Sequence, residues 1–183
     1  MLVSKLNLLR AFPVKLQEDV MVVLNMINEI EKLDFLGWFE VNFSGSVLNI
    51  PERIYYDEPS LSHYKSLSEK QQVILNCLFT RHHNGYIREQ NLKRIIEKTN
   101  GYNWIIPYLM RITGEYVIEI LQVIKVNLDK VDKGKIKDFI NENPIFCNTI
   151  ESRVSSYWNC YYRVIYPNKN KYVGFKIIEY FKS

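Results

Sequence analysis

Arg81, His82, His83 and Asn84 form the most polar and most titratable run in the sequence. Imidazoles can exchange protons or ligate a metal, and an adjacent guanidinium can bind an anion. The pattern places this run at the C-terminus of a helix, where cationic side chains meet the last carbonyls and the negative end of the dipole. Adjacent histidines outside a helix are expected to point apart, and His63 stands alone, so the spacing predicts no metal site. Glu115 and Glu119 are four apart, which puts both carboxylates on one face of a predicted helix. Buried together they could do acid–base work; paired with Arg88 or Arg111, or solvated, they are structural. The third run is Tyr157-Trp158-Asn159-Cys160-Tyr161-Tyr162-Arg163. Tyr157 and Tyr161 are expected to share a core face with Val154, leaving Tyr162 off that face beside Arg163. Tyrosine, tryptophan and arginine are the residue types that dominate binding hot spots. Arg81, His82, His83, Arg88, Glu115, Trp158, Tyr162 and Arg163 are therefore the candidate partner-binding residues. The sequence has no nucleophile elbow, phosphate loop or dinucleotide fingerprint, so no catalytic residue, cofactor or metal ligand is assigned.

The elements that must position these residues are mainly helical. Leu16, Val20, Val23, Leu24, Ile27 and Ile30 recur at helical spacing and predict a helix over 16–33. Phe39, Val41 and Phe43 alternate with polar residues, and Ser44-Gly45-Ser46 is a turn signal before a second short strand over 47–50. This segment pairs with itself, with a helix-capping loop or with another chain. Residues 51–66 read as an ordered but irregular connection. Ser68-Glu69-Lys70-Gln71 fits a capping box opening a helix that runs to about Thr80. Further helices are expected from about Tyr86, from Trp104 to Ile112 with Pro107 in or near its first turn, and from Tyr116 to Leu128 after a break at Thr113-Gly114. A short helix over 135–142 ends before Pro144. A long one follows, marked by Phe146, Ile150, Val154, Tyr157, Trp158, Tyr161 and Ile165, and the final helix carries Val173, Ile177, Ile178 and Phe181. Short connections make consecutive helices antiparallel neighbours.

The chain has 183 residues, 47% hydrophobic and 24% charged, with a net charge of +4. That is one domain, 1–183: a helix and a short β or irregular segment over 1–66, then a helical array over 67–183. It excludes a disordered chain, a collagen-like repeat and a disulfide scaffold. Cys77, Cys147 and Cys160 form no CxxC pair and read as small buried hydrophobes in a reducing compartment. No signal peptide and no run of about 18 apolar residues is present, so the expectation is a cytoplasmic protein with no membrane. Ala11 is the only alanine, against abundant isoleucine, asparagine, lysine and tyrosine, a palette associated with AT-rich bacterial coding. Residues 1–60 carry five Lys/Arg and nine Asp/Glu, whereas residues 61–183 carry 19 and 11. Of the basic residues only Lys130, Lys133, Lys135 and Lys137 cluster, and aspartates interrupt them.

Asn84-Gly85-Tyr86-Ile87-Arg88-Glu89, followed by Leu92, Pro107 and Glu115-Tyr116-Val117, resembles a divergent bacterial HEAT-like helix pair over about residues 70–128. A second echo runs from Tyr157 through Pro167 to Ile178. The resemblance implies stacked antiparallel helix pairs, whose usual use is a broad binding surface; it implies no reaction. The expected function is a non-catalytic protein-binding module with a protein partner, of which a toxin-neutralising immunity protein is one concrete form. The alternative is a nucleic-acid-binding helical repeat using the basic C-terminal helices. The last reading is an enzyme with a site near His82, His83 and Glu115.

Overall fold

The computed structural model describes residues 6–29 and 37–183. Its contacts gather the chain into two compact units, Met1–Asn91 and Leu92–Ser183. The protein is mainly helical with a small antiparallel β component.

In the first unit, two 3-10 turns, Leu8–Ala11 and Val14–Leu16, lead into helix α1, Gln17–Met26. Glu18 and Asp19 sit in its first turn, where the dipole favours negative charge. Its apolar stripe is the one the spacing predicts, with Val20, Val23 and Leu24 buried. The helix is shorter than predicted. Ile27 turns to extended backbone (φ −100°, ψ 139°) and stays buried, and Asn28–Glu29, strand β1, pairs antiparallel with Tyr56–Asp57, strand β4. A sheet partner thus overrides the helical period at that point. Residues 30–33 of the predicted helix lie outside the described residues.

The predicted alternation forms a hairpin that pairs with itself. Strands β2, Trp38–Phe43, and β3, Ser46–Pro51, are in register from Trp38↔Pro51 to Phe43↔Ser46. Ser44 (φ 50°) and Gly45 (φ 77°) make the two-residue turn, and positive φ at both matches the twist of the flanking strands. Val41 and Leu48 face each other across the pair and are buried together with Ile50. The connection read as irregular over 51–66 contains β4 and a short helix α2, Leu61–Ser66, whose N-cap Ser60 accepts from His63 N. Helix α3, Glu69–Phe79, opens with the predicted capping box: Gln71 N donates to Ser68 Oγ (3.3 Å) and Ser68 N to Gln71 Oε1 (3.1 Å). Helices α1 and α3 pack together, and Asp19 accepts from both Lys70 (2.7 Å) and Gln71 (2.9 Å). The boundary between the units falls within helix α4, Gly85–Ile95.

In the second unit, helix α5, Ile106–Thr113, is buried on every side and forms the centre. Pro107 lies in its first turn, where no intrahelical donor is lost. Helix α6 begins at Ile118 rather than Tyr116 and runs to Val126, because Gly114 breaks the chain and Glu115–Val117 stays non-helical. Helix α7, Lys133–Glu142, starts under an Asp132 cap that accepts from Gly134 N (2.8 Å) and Lys135 N (3.2 Å). The clustered lysines are committed to their own unit. Lys130 pairs with Glu97, Lys133 donates to Ser183 Oγ, Lys135 to the Asn100 carbonyl and Lys137 to the Ser183 carbonyl. Helix α8, Pro144–Tyr157, continues into a π-helical turn, Trp158–Tyr162, before helix α9, Val173–Lys182. Helices α7 and α8 pack against α5, and α9 packs against α6, α7 and α8.

The approach of α9 to α8 depends on Gly174, where a Cβ would stand 2.8 Å from both Val154 Cγ1 and Tyr172 Cε1. Gly174→Ala should lower stability by about 1–3 kcal/mol through overpacking, whatever it gains in helix propensity. Chemical denaturation reads the change; an unaltered midpoint would show that α9 can shift at no cost.

Candidate functional site

The chain leaving α3 is held by two short stretches of backbone. The N–H of Ile54 donates to the Arg81 carbonyl (2.9 Å), and the N–H of His83 donates to the Ile54 carbonyl (3.1 Å). The N–H groups of Arg81 and His82 close the last turn of α3 on the Leu78 and Phe79 carbonyls (2.8 and 3.1 Å), and at His82 the chain forms a strand-like bridge beside Ile54. The guanidinium of Arg81 is fully buried. It donates from Nη2 to the Glu52 carbonyl (2.6 Å) and from Nε to the Pro51 carbonyl (3.3 Å), with Glu52 Oε2 3.7 Å away. Arg88 is also buried, and its Nη1 donates to the carbonyls of both His82 (2.9 Å) and His83 (2.8 Å). A fork of donors suits Arg to this task of satisfying consecutive carbonyls.

His82 is buried between two partners. Its Nδ1 accepts from the N–H of Asn84 (3.0 Å), which leaves the proton on Nε2 to be donated to the Tyr56 carbonyl (3.0 Å). That arrangement is filled by one neutral tautomer. Burial, with His83 and Arg88 nearby, lowers the imidazole pKa to about 4. His82 is thus not the cationic helix cap that its position in the sequence suggests. Nor do the adjacent histidines point apart. Phe79, His82, His83 and Tyr55 form one column of rings, with centroid separations of 5.7, 4.2 and 5.0 Å. Two extended residues would alternate faces; the turn at Asn84 folds His83 back beside its neighbour. His83 and Tyr55 form the solvent end of the column, His83 exposed and Tyr55 half-buried.

Glu115 and Glu119 do not share a helix face. Glu115 is buried in the non-helical link before α6, whereas Glu119 lies exposed in the first turn of α6. Arg81, His82, His83 and Arg88 are brought together in the first unit; Glu115, Trp158, Tyr162 and Arg163 belong to the second. Among the described residues, no group of three or more His, Cys, Asp or Glu is arranged to hold a metal ion, and no helix is long and apolar enough to cross a membrane.

The aromatic run of the second unit is arranged differently from its predicted stripe. The π-helical turn adds a residue to one turn of the helix, and every side chain beyond it changes face. Val154 is buried as predicted, Tyr157 only half-buried, and Tyr161 is 62% exposed. Tyr162 instead turns inward, stacks on Tyr172 (5.1 Å, 23°) and donates its hydroxyl to the Tyr116 carbonyl (2.6 Å). Burial raises its phenol pKa above the ordinary value. Trp158 Nε1 donates to the Tyr166 carbonyl (2.9 Å), which ties the following turn back to the helix. Arg163 lies over the Trp158 ring at 6.0 Å and donates to Asn159 Oδ1 (3.2 Å). Tyr161, Val164 and Ile165 are the exposed side chains that periodicity alone does not find, since a stripe at helical spacing cannot register a π turn. Cys77 and Cys147 are buried, and desolvation raises the Cys147 thiol to about 11; Cys160, expected to be buried, is exposed on the same π turn. In the first unit a cleft of about 330 Å³ opens between the N-terminal turns and the hairpin, with Arg10, Phe12, Glu40 and Leu48 among its lining residues.

The His82 geometry predicts a pH dependence. The unfolded chain protonates His82 near 6.5 and the folded chain only near 4, so between these values the unfolded state binds more protons. Stability contributed by neutral His82 is complete above pH 6.5 and falls as pH drops towards 4, by up to about 3 kcal/mol. Ring titration followed by NMR should give a midpoint near 4 with the proton on Nε2; a midpoint near the ordinary histidine value would refute the two-partner arrangement. Among the described residues the buried Tyr172 hydroxyl has no hydrogen-bond partner. Removing it in Tyr172→Phe should be neutral or should raise stability by about 1 kcal/mol, read by thermal melting. A clear loss of stability would show that the hydroxyl has a partner.

Comparison of the chain with protein-family models, curated proteins and solved structures returns no match in any of the three.

Proposed function

We propose that the chain is a non-catalytic protein-binding module built from HEAT-like helix pairs, a toxin-neutralising immunity protein being one concrete form. The observation that carries the reading is the exposure of Tyr161, Val164 and Ile165 beside Arg163 at the end of the longest helix. Folding leaves these large apolar side chains in water, and a partner is what would bury them. The polar candidates of the first unit support the same reading. Arg81, His82 and Arg88 are occupied in satisfying carbonyls of their own chain, which is positioning work rather than chemistry on a substrate. His83 is the member of that group left at the surface, where with Tyr55 it offers a flat ring pair suited to contact.

Affinity capture from the native cell, at low and high salt and with nuclease, tests the reading. One stoichiometric protein that survives nuclease is the expected result. Nucleic acid that leaves as salt rises, with a log–log slope of several units, would overturn it in favour of the basic-helix alternative.

A further inference from the structure

The stretch from Ser152 to Ile178 contains five basic residues, Arg153, Arg163, Lys169, Lys171 and Lys176, and no aspartate or glutamate. Arg163, Lys169 and Lys171 have no carboxylate partner among the described residues. In the chain they flank an apolar tip. After the π turn the chain reverses through Val164 and Ile165, which are 93% and 67% exposed. Burying such side chains is stabilising, and the fold leaves them in water.

The cations are held in place around the tip. Arg163 lies 6.0 Å from the Trp158 ring and the Lys169 ammonium 5.8 Å from the Phe175 ring. The two rings meet edge to face at 6.0 Å, and the indole N–H anchors the turn through the Tyr166 carbonyl. Ordering these long side chains on aromatic surface before binding reduces the entropy that a partner must overcome. Tyr162 is already stacked on Tyr172, and the exposed Tyr161 ring packs among those of Tyr116, Tyr157 and Tyr162. Branched aliphatic side chains give a nucleobase no such platform.

We propose that this tip docks an acidic protein surface, in which an apolar depression receives Val164 and Ile165 and surrounding carboxylates meet Arg163, Lys169 and Lys171. The proposal rests on the protein-binding reading and names the chemistry of its partner. Its test places the photo-crosslinking residue p-benzoylphenylalanine at Val164 of the full chain in the native cell, with Tyr86 of the other unit as the control position. The expected result is an adduct to one protein, mapped by mass spectrometry to an acidic segment. Arg163→Glu combined with Lys169→Glu should then cut adduct yield by about tenfold at unchanged folding. An adduct to lipid, to nucleic acid or to a neutral or basic segment overturns the proposal. So does the absence of an adduct at Val164 when capture yields a protein partner, an outcome that leaves the binding-module reading standing. Failure of capture itself removes both.

Discussion

A polar group taken out of water must find its hydrogen bonds within the chain, and that requirement fixes how the helices of this protein are joined. Beyond α3 the backbone enters a buried environment with carbonyls still to satisfy. Arg81 covers those of Pro51 and Glu52, and Arg88 covers those of His82 and His83. The imidazole of His82 closes the arrangement by accepting from one residue and donating to another, 28 positions apart in the chain. Removing any one of these side chains would strand buried backbone groups, so the cluster behaves as a structural unit.

The same requirement acts in the second unit through aromatic side chains. Trp158 spends its single donor on the Tyr166 carbonyl and Tyr162 spends its hydroxyl on the Tyr116 carbonyl. Those two bonds hold the π turn to the link before α6 and to the reversal after it. The turn in principle costs helix regularity, but it moves Tyr162 inward onto Tyr172 and moves Tyr161 out. The surface at the end of α8 therefore follows from how these two bonds hold the π turn. Tyr172 is the exception: its ring is used in stacking while its hydroxyl has no partner among the described residues.

Charge is distributed by function of a different kind. The lysines near α7 are bound to carbonyls, a hydroxyl or Glu97 within their own unit, and contribute to closing its surface. The cations from Arg163 to Lys171 rest on aromatic rings or stand in water. A sequence count treats these two groups alike, yet within them only Lys130 has its charge met by a carboxylate.

By itself the sequence determined the elements whose signals are local. The capping box at Ser68, the Ser44-Gly45 hairpin turn, Pro107 in the first turn of α5 and the break at Gly114 each depend on a few adjacent residues, and each is found where its chemistry places it. The buried stripe of α1 follows from helical period for the same reason. Only the tertiary structure decided where α1 stops, because β4 competes for residues 28 and 29 from a distance. It also decided that Glu115 and Glu119 part company, that His82 is neutral and paired with its neighbour's ring, and that Tyr161 and Tyr162 exchange roles. The state of His82 turns on Tyr56, a partner remote in sequence, and the exchange of the tyrosines on a single residue inserted into a helical turn. Periodicity carries no information about either, since it assumes an unbroken helix and sees only neighbours along the chain.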